Sequence, residues 1–94
     1  MLHSETNLRR ATERVHHQTE SALTLLDWLD VEGLIALSVT IEHERRPLVS
    51  IGLSPKCTWL KTHHKAYVHS RSPNVVTWRC DLMGCRVQWL EGGH

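Results

Sequence analysis

Three cysteines and eight histidines are the side chains of this 94-residue sequence best suited to chemistry. Cys80 and Cys85 enclose four residues, within the spacing of zinc-binding cysteine pairs. Cys57, with His63, His64 or His69, would complete a set of thiolate and imidazole ligands. Cys57, His64, Cys80 and Cys85 are thus the metal candidates, and a small core gains from such a staple. The opposing reading is structural. A hairpin built on residues 76–89 sets Cys80 opposite Cys85 on the face of Trp78, Val87 and Trp89, where small apolar side chains belong. A zinc knuckle also brings glycine-rich turns and two tight pairs, whereas this chain has one loose pair. Core thiols are therefore expected, with no metal and no cofactor.

Catalysis by cysteine finds little support. Cys57 follows Pro55 at the start of a short helical turn, a position that lowers a thiol pKa, and His63 and His64 are near in sequence. Such a nucleophile needs a third group to orient its base, and none is evident. Asp27, Asp30 and Glu32 gather at a helix end without a second carboxylate cluster and read as a solvated terminus. Phosphate-binding loops, dinucleotide fingerprints and nucleophile elbows do not occur. A chain of this length buries only about 60–65% of its unfolded surface, too little to enclose an active site beneath a lid. A non-enzymatic protein is expected. The odd cysteine count and the lack of a charged-then-apolar leader point to free thiols in a reducing, cytoplasmic setting, with a Cys80–Cys85 bridge as the alternative. No window approaches the roughly 18 apolar residues of a membrane span.

Surface chemistry is more promising. Arg45, Arg46, Lys56, Lys61, Lys65 and Arg71 surround Trp59 and Tyr67, the mixture of cations and rings used on single-stranded nucleic acid. Aromatics are only 5% of the chain and the net charge is +1, below what a dedicated nucleic-acid binder carries. That small net charge hides a split. Residues 1–42 hold three arginines against seven acids, a net of −4, and residues 43–94 hold eight Lys/Arg against three acids, a net of +5. Five of the eight histidines also lie in the basic part. Such segregation suits a charged partner or two copies packed head against tail. Trp and Arg dominate interface hot spots, and Trp28 and Trp59, near element ends, are expected to be exposed.

The resulting expectation is a small protein that occludes a partner protein's surface. Its contacts would be Arg45, Arg46, Lys56, Trp59, Lys61, Lys65 and Arg71, together with the acidic helix end at Asp27 and Asp30. Nucleic-acid binding by the basic C-terminal half, with or without zinc, is the alternative. In its shortness, its compactness and its lack of catalytic motifs the chain resembles, as a class, the small inhibitor and anti-defence proteins that phages direct against host machinery. No residue motif carries that resemblance, which would imply action in the host cytoplasm.

The elements that position these groups follow from periodicity. Leu8, Val15, Ala22 and Leu29 recur every seven residues with Ala11, Gln18 and Leu25 between them, which predicts a helix over 4–30 with Ser4 as N-cap and Gly33 as its stop. At 1.5 Å per residue it runs about 40 Å. A sheet of four or five strands is only about 20–25 Å wide. The helix must overhang, at its N-terminal end, because Leu25, Leu26, Trp28 and Leu29 concentrate apolar area near the other. Leu8, Ala11 and Val15 would then meet a partner helix, in a homodimer or another protein. Arg9, Arg10 and Arg14 near the N-terminus, and Asp27 and Asp30 near the C-terminus, oppose the helix dipole at about 0.3–1 kcal/mol each. A basic surface facing Asp27, Asp30 and Glu32 would offset this.

From Leu34 the period becomes two. Ile35, Leu37, Val39 and Ile41 alternate with Ala36, Ser38, Thr40 and Glu42, and after Pro47 Val49, Ile51 and Leu53 alternate with Leu48, Ser50 and Gly52, a predicted hairpin. Ser54-Pro55 opens a helical turn through Leu60. Ala66 and Val68 alternate with Tyr67 and His69 as a further strand, Ser72-Pro73-Asn74 turns the chain, and residues 76–89 form the last hairpin around a loop at 81–84. Residues 92–94 read as a tail. The fold class is α+β in a single domain over 1–94: a long N-terminal helix on a four- to five-stranded antiparallel sheet spanning 34–91. Ser38, Thr40, Ser50, Thr77, Arg79, Arg86 and Gln88 should lie on the face away from the helix.

Overall fold

The computed structural model describes residues 2–42 and 45–92, with side chains from Arg10 onward. Its elements are α1 (Leu2–Val31), β1 (Ala36–Thr40), β2 (Leu48–Ile51), α2 (Lys56–His63), β3 (Tyr67–Arg71), β4 (Val75–Leu82) and β5 (Cys85–Gly92). The chain is α+β: one long helix and one short one pack on a five-stranded sheet of order β1-β2-β5-β4-β3.

α1 begins before Ser4, which lies inside the helix rather than at its cap. Its end follows from Gly33. With φ at +76°, Gly33 donates its N–H to the Asp30 carbonyl at 3.1 Å while the Leu34 N–H reaches Leu29 at 2.8 Å, which satisfies carbonyls the last turn would otherwise leave bare. The apolar stripe buries Ala22, Leu25 and Leu29, whereas Thr12 to His17 are all exposed. The N-terminal half therefore projects beyond the sheet, and the molecule measures 55 × 31 × 21 Å. Where α1 leaves the sheet, Gln18 Nε2 donates to the carbonyls of Glu42, at 2.9 Å, and of Arg45, holding the connection between β1 and β2.

β1–β2 is an antiparallel hairpin and β3-β4-β5 an antiparallel meander, but the two are joined by a parallel pair, Leu48↔Arg86 to Ser50↔Gln88. The expected sheet was wholly antiparallel. The difference arises because α2 carries the chain back across the sheet, so β3 starts in the direction of β2 and β5 repeats it. The last hairpin is tighter than expected. Its turn is Met83-Gly84 alone, with φ of +51° and +76°, the pair of positive angles a two-residue turn needs, so Asp81 and Leu82 belong to β4. Cys80 consequently faces Val87, and Cys85 faces Leu82, rather than each other. Trp78 stands opposite Trp89, their rings stacked with centroids 6.5 Å apart. Gly92 closes β5 instead of opening a tail, and Gly93 and His94 lie outside the described residues.

Both edge strands carry a register shift, between Ala36 and Ser38 in β1 and between Val68 and Ser70 in β3. An extra residue in a strand reverses the alternation beyond it. The expected apolar face of Ile35, Leu37, Val39 and Ile41 is therefore broken, and every β1 residue is exposed. Leu53, expected in β2, lies past its end and is exposed as well.

α2 runs to His63, beyond the expected stop at Leu60, after Ser54 Oγ accepts the Lys56 N–H at 3.0 Å. It buries Cys57 and Leu60 against Leu25, Leu29, Val49, Ile51, Cys80, Cys85, Val87 and Trp89. One ion pair ties it to the sheet: Lys61 Nζ lies 2.9 and 2.8 Å from the two Glu91 carboxylate oxygens and 4.2 Å above the Trp78 ring, and Trp89 Nε1 donates to Glu91 at 2.8 Å. Burial acts to raise the Glu91 carboxyl, but the hydrogen bonds from Lys61 and Trp89 and the Lys61 charge outweigh it and hold the group below the ordinary carboxylate value. A carboxyl lowered in the folded state stabilises the fold above its unfolded pKa and loses that contribution as pH falls through its folded value. Glu91→Gln should cost about 1 kcal/mol at neutral pH. It should also flatten the acid-side loss of stability, as denaturant unfolding at neutral and acidic pH would show.

Candidate binding surface

With both helices on one side, the other face of the sheet is open. The register sets Ser38, Ser50, Gln88, Arg79 and Tyr67 in one row across all five strands. Gln88 Nε2 donates to Ser50 Oγ at 2.9 Å, and Arg79 Nε donates to Gln88 Oε1 at 3.0 Å. This chain orients the Arg79 guanidinium and leaves its terminal nitrogens without an acceptor among the described residues. The next row, Thr40, Leu48, Arg86 and Asp81, lies at the end where β4 turns into β5. Pro47 accepts the Arg86 N–H there at 2.8 Å and brings the β1–β2 connection alongside.

These rows and that connection enclose a cleft of about 640 Å³ lined by Arg45, Arg46, Arg79 and Arg86 with Glu42 and Asp81. Arg46 Nη1 is 3.2 Å from Asp81 Oδ2, and Arg45 Nη1 is 3.3 Å from Glu42 Oε2. Arg86 Nε, 3.6 Å from Asp81 Oδ1, is too far for a hydrogen bond and is buried without one. Four guanidiniums thus face two carboxylates. The paired side chains remain 40–77% exposed, so each pair contributes no more than about 1 kcal/mol and yields readily to an incoming anion.

Of the expected contact residues, only Arg45 and Arg46 reach this cleft. Arg79 and Arg86 complete it; alternation placed them on the open face, but nothing in the sequence showed that the β1–β2 connection would fold over them. Lys56, Trp59 and Lys61 sit on α2 under the other face, at the far end of β5. Lys56 pairs with Glu32 at 2.8 Å and lies 4.2 Å above Trp59. Trp59 stacks with Trp28 at 6.4 Å and with His63 at 4.6 Å and meets the edge of His64 at 5.1 Å. Both tryptophans are half-buried with their faces occupied, contrary to the expected exposure. Lys65 and Arg71 are exposed and do not line the cleft, and Arg71, opposite Val76, lies toward the other end of β4. Asp27 and Asp30 are exposed at the end of α1; of the three acids there, Glu32 alone meets a base among the described residues.

The thiols of Cys57, Cys80 and Cys85 are free and buried. Burial pushes Cys80 up to about 11, with Asp81 and Cys57 adding to it, and burial likewise raises Cys85. Cys57 also rises through burial, which outweighs its hydrogen bond at Ser54 and corrects the expectation of a lowered thiol. His64 packs edge-on to Trp28 and Trp59, and no three His, Cys, Asp or Glu side chains among the described residues are grouped to hold a metal. Among the same residues, no helix is long and apolar enough to cross a membrane.

No family model, no curated protein and no solved structure matches the chain. The buried thiols generate a direct test. A thiol reagent should label the folded protein at least about 100-fold more slowly than the unfolded chain, at all three cysteines, because thiolate and access are both suppressed. Rapid labelling of Cys57 in native protein would contradict its burial.

Proposed function

We propose that this is a non-enzymatic protein that occupies the surface of a partner protein, with the arginine cleft on the open sheet face as its contact. The observation that carries this reading is the convergence of four guanidiniums on one cleft with two carboxylates to balance them. An acidic surface would exchange its carboxylates for Glu42 and Asp81, form bidentate contacts with Arg45, Arg46 and Arg86, and meet Arg79 already oriented by Gln88. Preorganisation of that kind reduces the ordering cost of binding. Function then follows from exclusion: a partner covered at an acidic patch no longer binds its natural cationic ligand. This is the mode of action of an inhibitor, the class that the chain resembles in size and lack of motifs.

One observation favours a second reading. Tyr67 is directly opposite Arg79 on the open face and 42% exposed, which sets a free ring beside a cation as single-stranded nucleic acid requires. Against it, Trp59 has no free face and Lys56 and Lys61 are paired internally, which dismantles the basic, aromatic patch expected from sequence.

Arg79→Glu and the double variant Arg45→Glu/Arg46→Glu should each weaken capture of the co-purifying partner by at least about tenfold, with marked salt dependence. Arg71→Glu, at the other end of β3, should leave it unchanged. Retention of the partner by Arg79→Glu rejects the cleft. A labelled oligothymidine that binds with a steep salt slope and weakens with Tyr67→Ala would select the nucleic-acid reading instead.

A further inference from the structure

Asp81 serves two arginines at once. Its Oδ2 lies 3.2 Å from Arg46 Nη1, while its Oδ1, 3.6 Å from Arg86 Nε, leaves that buried donor without an acceptor. A buried N–H with no acceptor is a standing cost, and a bound anion is one of the ordinary ways of removing it. An anion that draws Arg46 into the cleft frees Asp81 to close on Arg86. Arg79 and Arg86 are diagonal neighbours on one face of the β4–β5 pair, since Arg79 stands opposite Gln88 and Asp81 opposite Arg86. Diagonal positions are about 7–8 Å apart, within reach of two long side chains. Among the described residues the lining sets four guanidiniums against two carboxylates, an excess of two positive charges. Its uncharged members are Thr40 and Leu48, and none of these residues has a ring on which a base could stack.

We infer that the cleft receives a phosphate monoester, carried on a phosphorylated serine, threonine or tyrosine side chain of a protein. The inference rests on the cleft being a contact surface and narrows its ligand from acidic groups in general to one. A phosphorylated side chain carries about −1.5 to −2 charge at neutral pH and three acceptor oxygens, which matches the excess. A carboxylate brings one charge and two oxygens, and each phosphate of a nucleic-acid backbone also brings one charge. Either leaves a positive charge in the cleft unmatched. Planar guanidiniums meet phosphate oxygens through pairs of parallel hydrogen bonds. Arg79, held at Nε by Gln88, presents its terminal nitrogens for such a pair, and Arg45 and Arg46 supply further donors from the β1–β2 connection.

Calorimetric titration of the full chain tests this at about 0.15 M salt, where exposed charges more than about 8 Å apart are largely screened. The probes are a short glycine-serine peptide bearing one phosphoserine, the same peptide with glutamate in its place, and inorganic phosphate. The phosphoserine peptide should bind once per chain, at least about tenfold more tightly than the glutamate peptide, and inorganic phosphate should compete for the same site. Arg79→Lys keeps the charge but loses the fork, and should weaken the phosphopeptide at least about fivefold. Glu42→Gln removes the carboxylate that competes for Arg45 and should tighten it about two- to fivefold. Arg71→Glu should change nothing. Equal affinity for the two peptides overturns the inference, as does tighter binding of inorganic phosphate or of oligothymidine than of the phosphopeptide. Partner capture is read separately. A partner retained after phosphatase treatment but lost with Arg79→Glu overturns the phosphate ligand and leaves the acidic contact standing. A phosphopeptide site intact in a protein whose capture ignores the cleft variants overturns the contact instead.

Discussion

Only the C-terminal part of α1 and the eight-residue α2 roof the five-stranded sheet, and much of this structure follows from that short cover. At 1.5 Å per residue α2 is about 12 Å long. Five strands at about 4.8 Å spacing span about 19–24 Å. The buried residues of α1 (Ala22, Leu25 and Leu29) and of α2 (Cys57 and Leu60) roof the apolar face of β2, β5 and β4. β1 is left at the margin with all its residues exposed. Among the described residues no helix covers the opposite face, and it is accordingly polar along its central row, where Ser50, Gln88 and Arg79 bond to one another.

The same shortage of cover explains the use of thiols and rings. Cys57, Cys80 and Cys85 fill buried core positions between sheet and helices, as small apolar side chains do, and their burial suppresses the reactivity that cysteine otherwise offers. Where α1 ends and α2 begins, Trp28 and Trp59 fill the gap, with Lys56 across one ring and tied to Glu32. Groups that look like chemistry in a linear reading are here structural. Among the described residues, exposed side chains are concentrated on the open face, along β1 and on the projecting part of α1.

Charge segregation has two different outcomes. On α2 the cations Lys56 and Lys61 are spent on Glu32 and Glu91 and help seat the helix. At the other end of the sheet, Arg45, Arg46, Arg79 and Arg86 outnumber Glu42 and Asp81, so a positive excess persists at the surface. Sequence composition sums these regions into one basic half. Distance separates them, because a strand run of six residues from Arg86 to Glu91 places them at opposite ends of β5.

Local periodicity was enough to establish α1 with its Gly33 stop, the strands around Val49, Trp78 and Trp89, the assignment of Arg79, Arg86 and Gln88 to the wet face, and the N-terminal overhang. Each of these depends on neighbours within a few residues or on the length of one element. What tertiary structure alone decided is everything that requires two distant segments to meet. The parallel β2–β5 pairing, the register shifts at both edges, the exposure of β1 and the closing of Arg45 and Arg46 over Arg79 and Arg86 are of this kind. A one-residue shift in register turns side chains to the other face without any change in composition, so no count of apolar or charged residues records it.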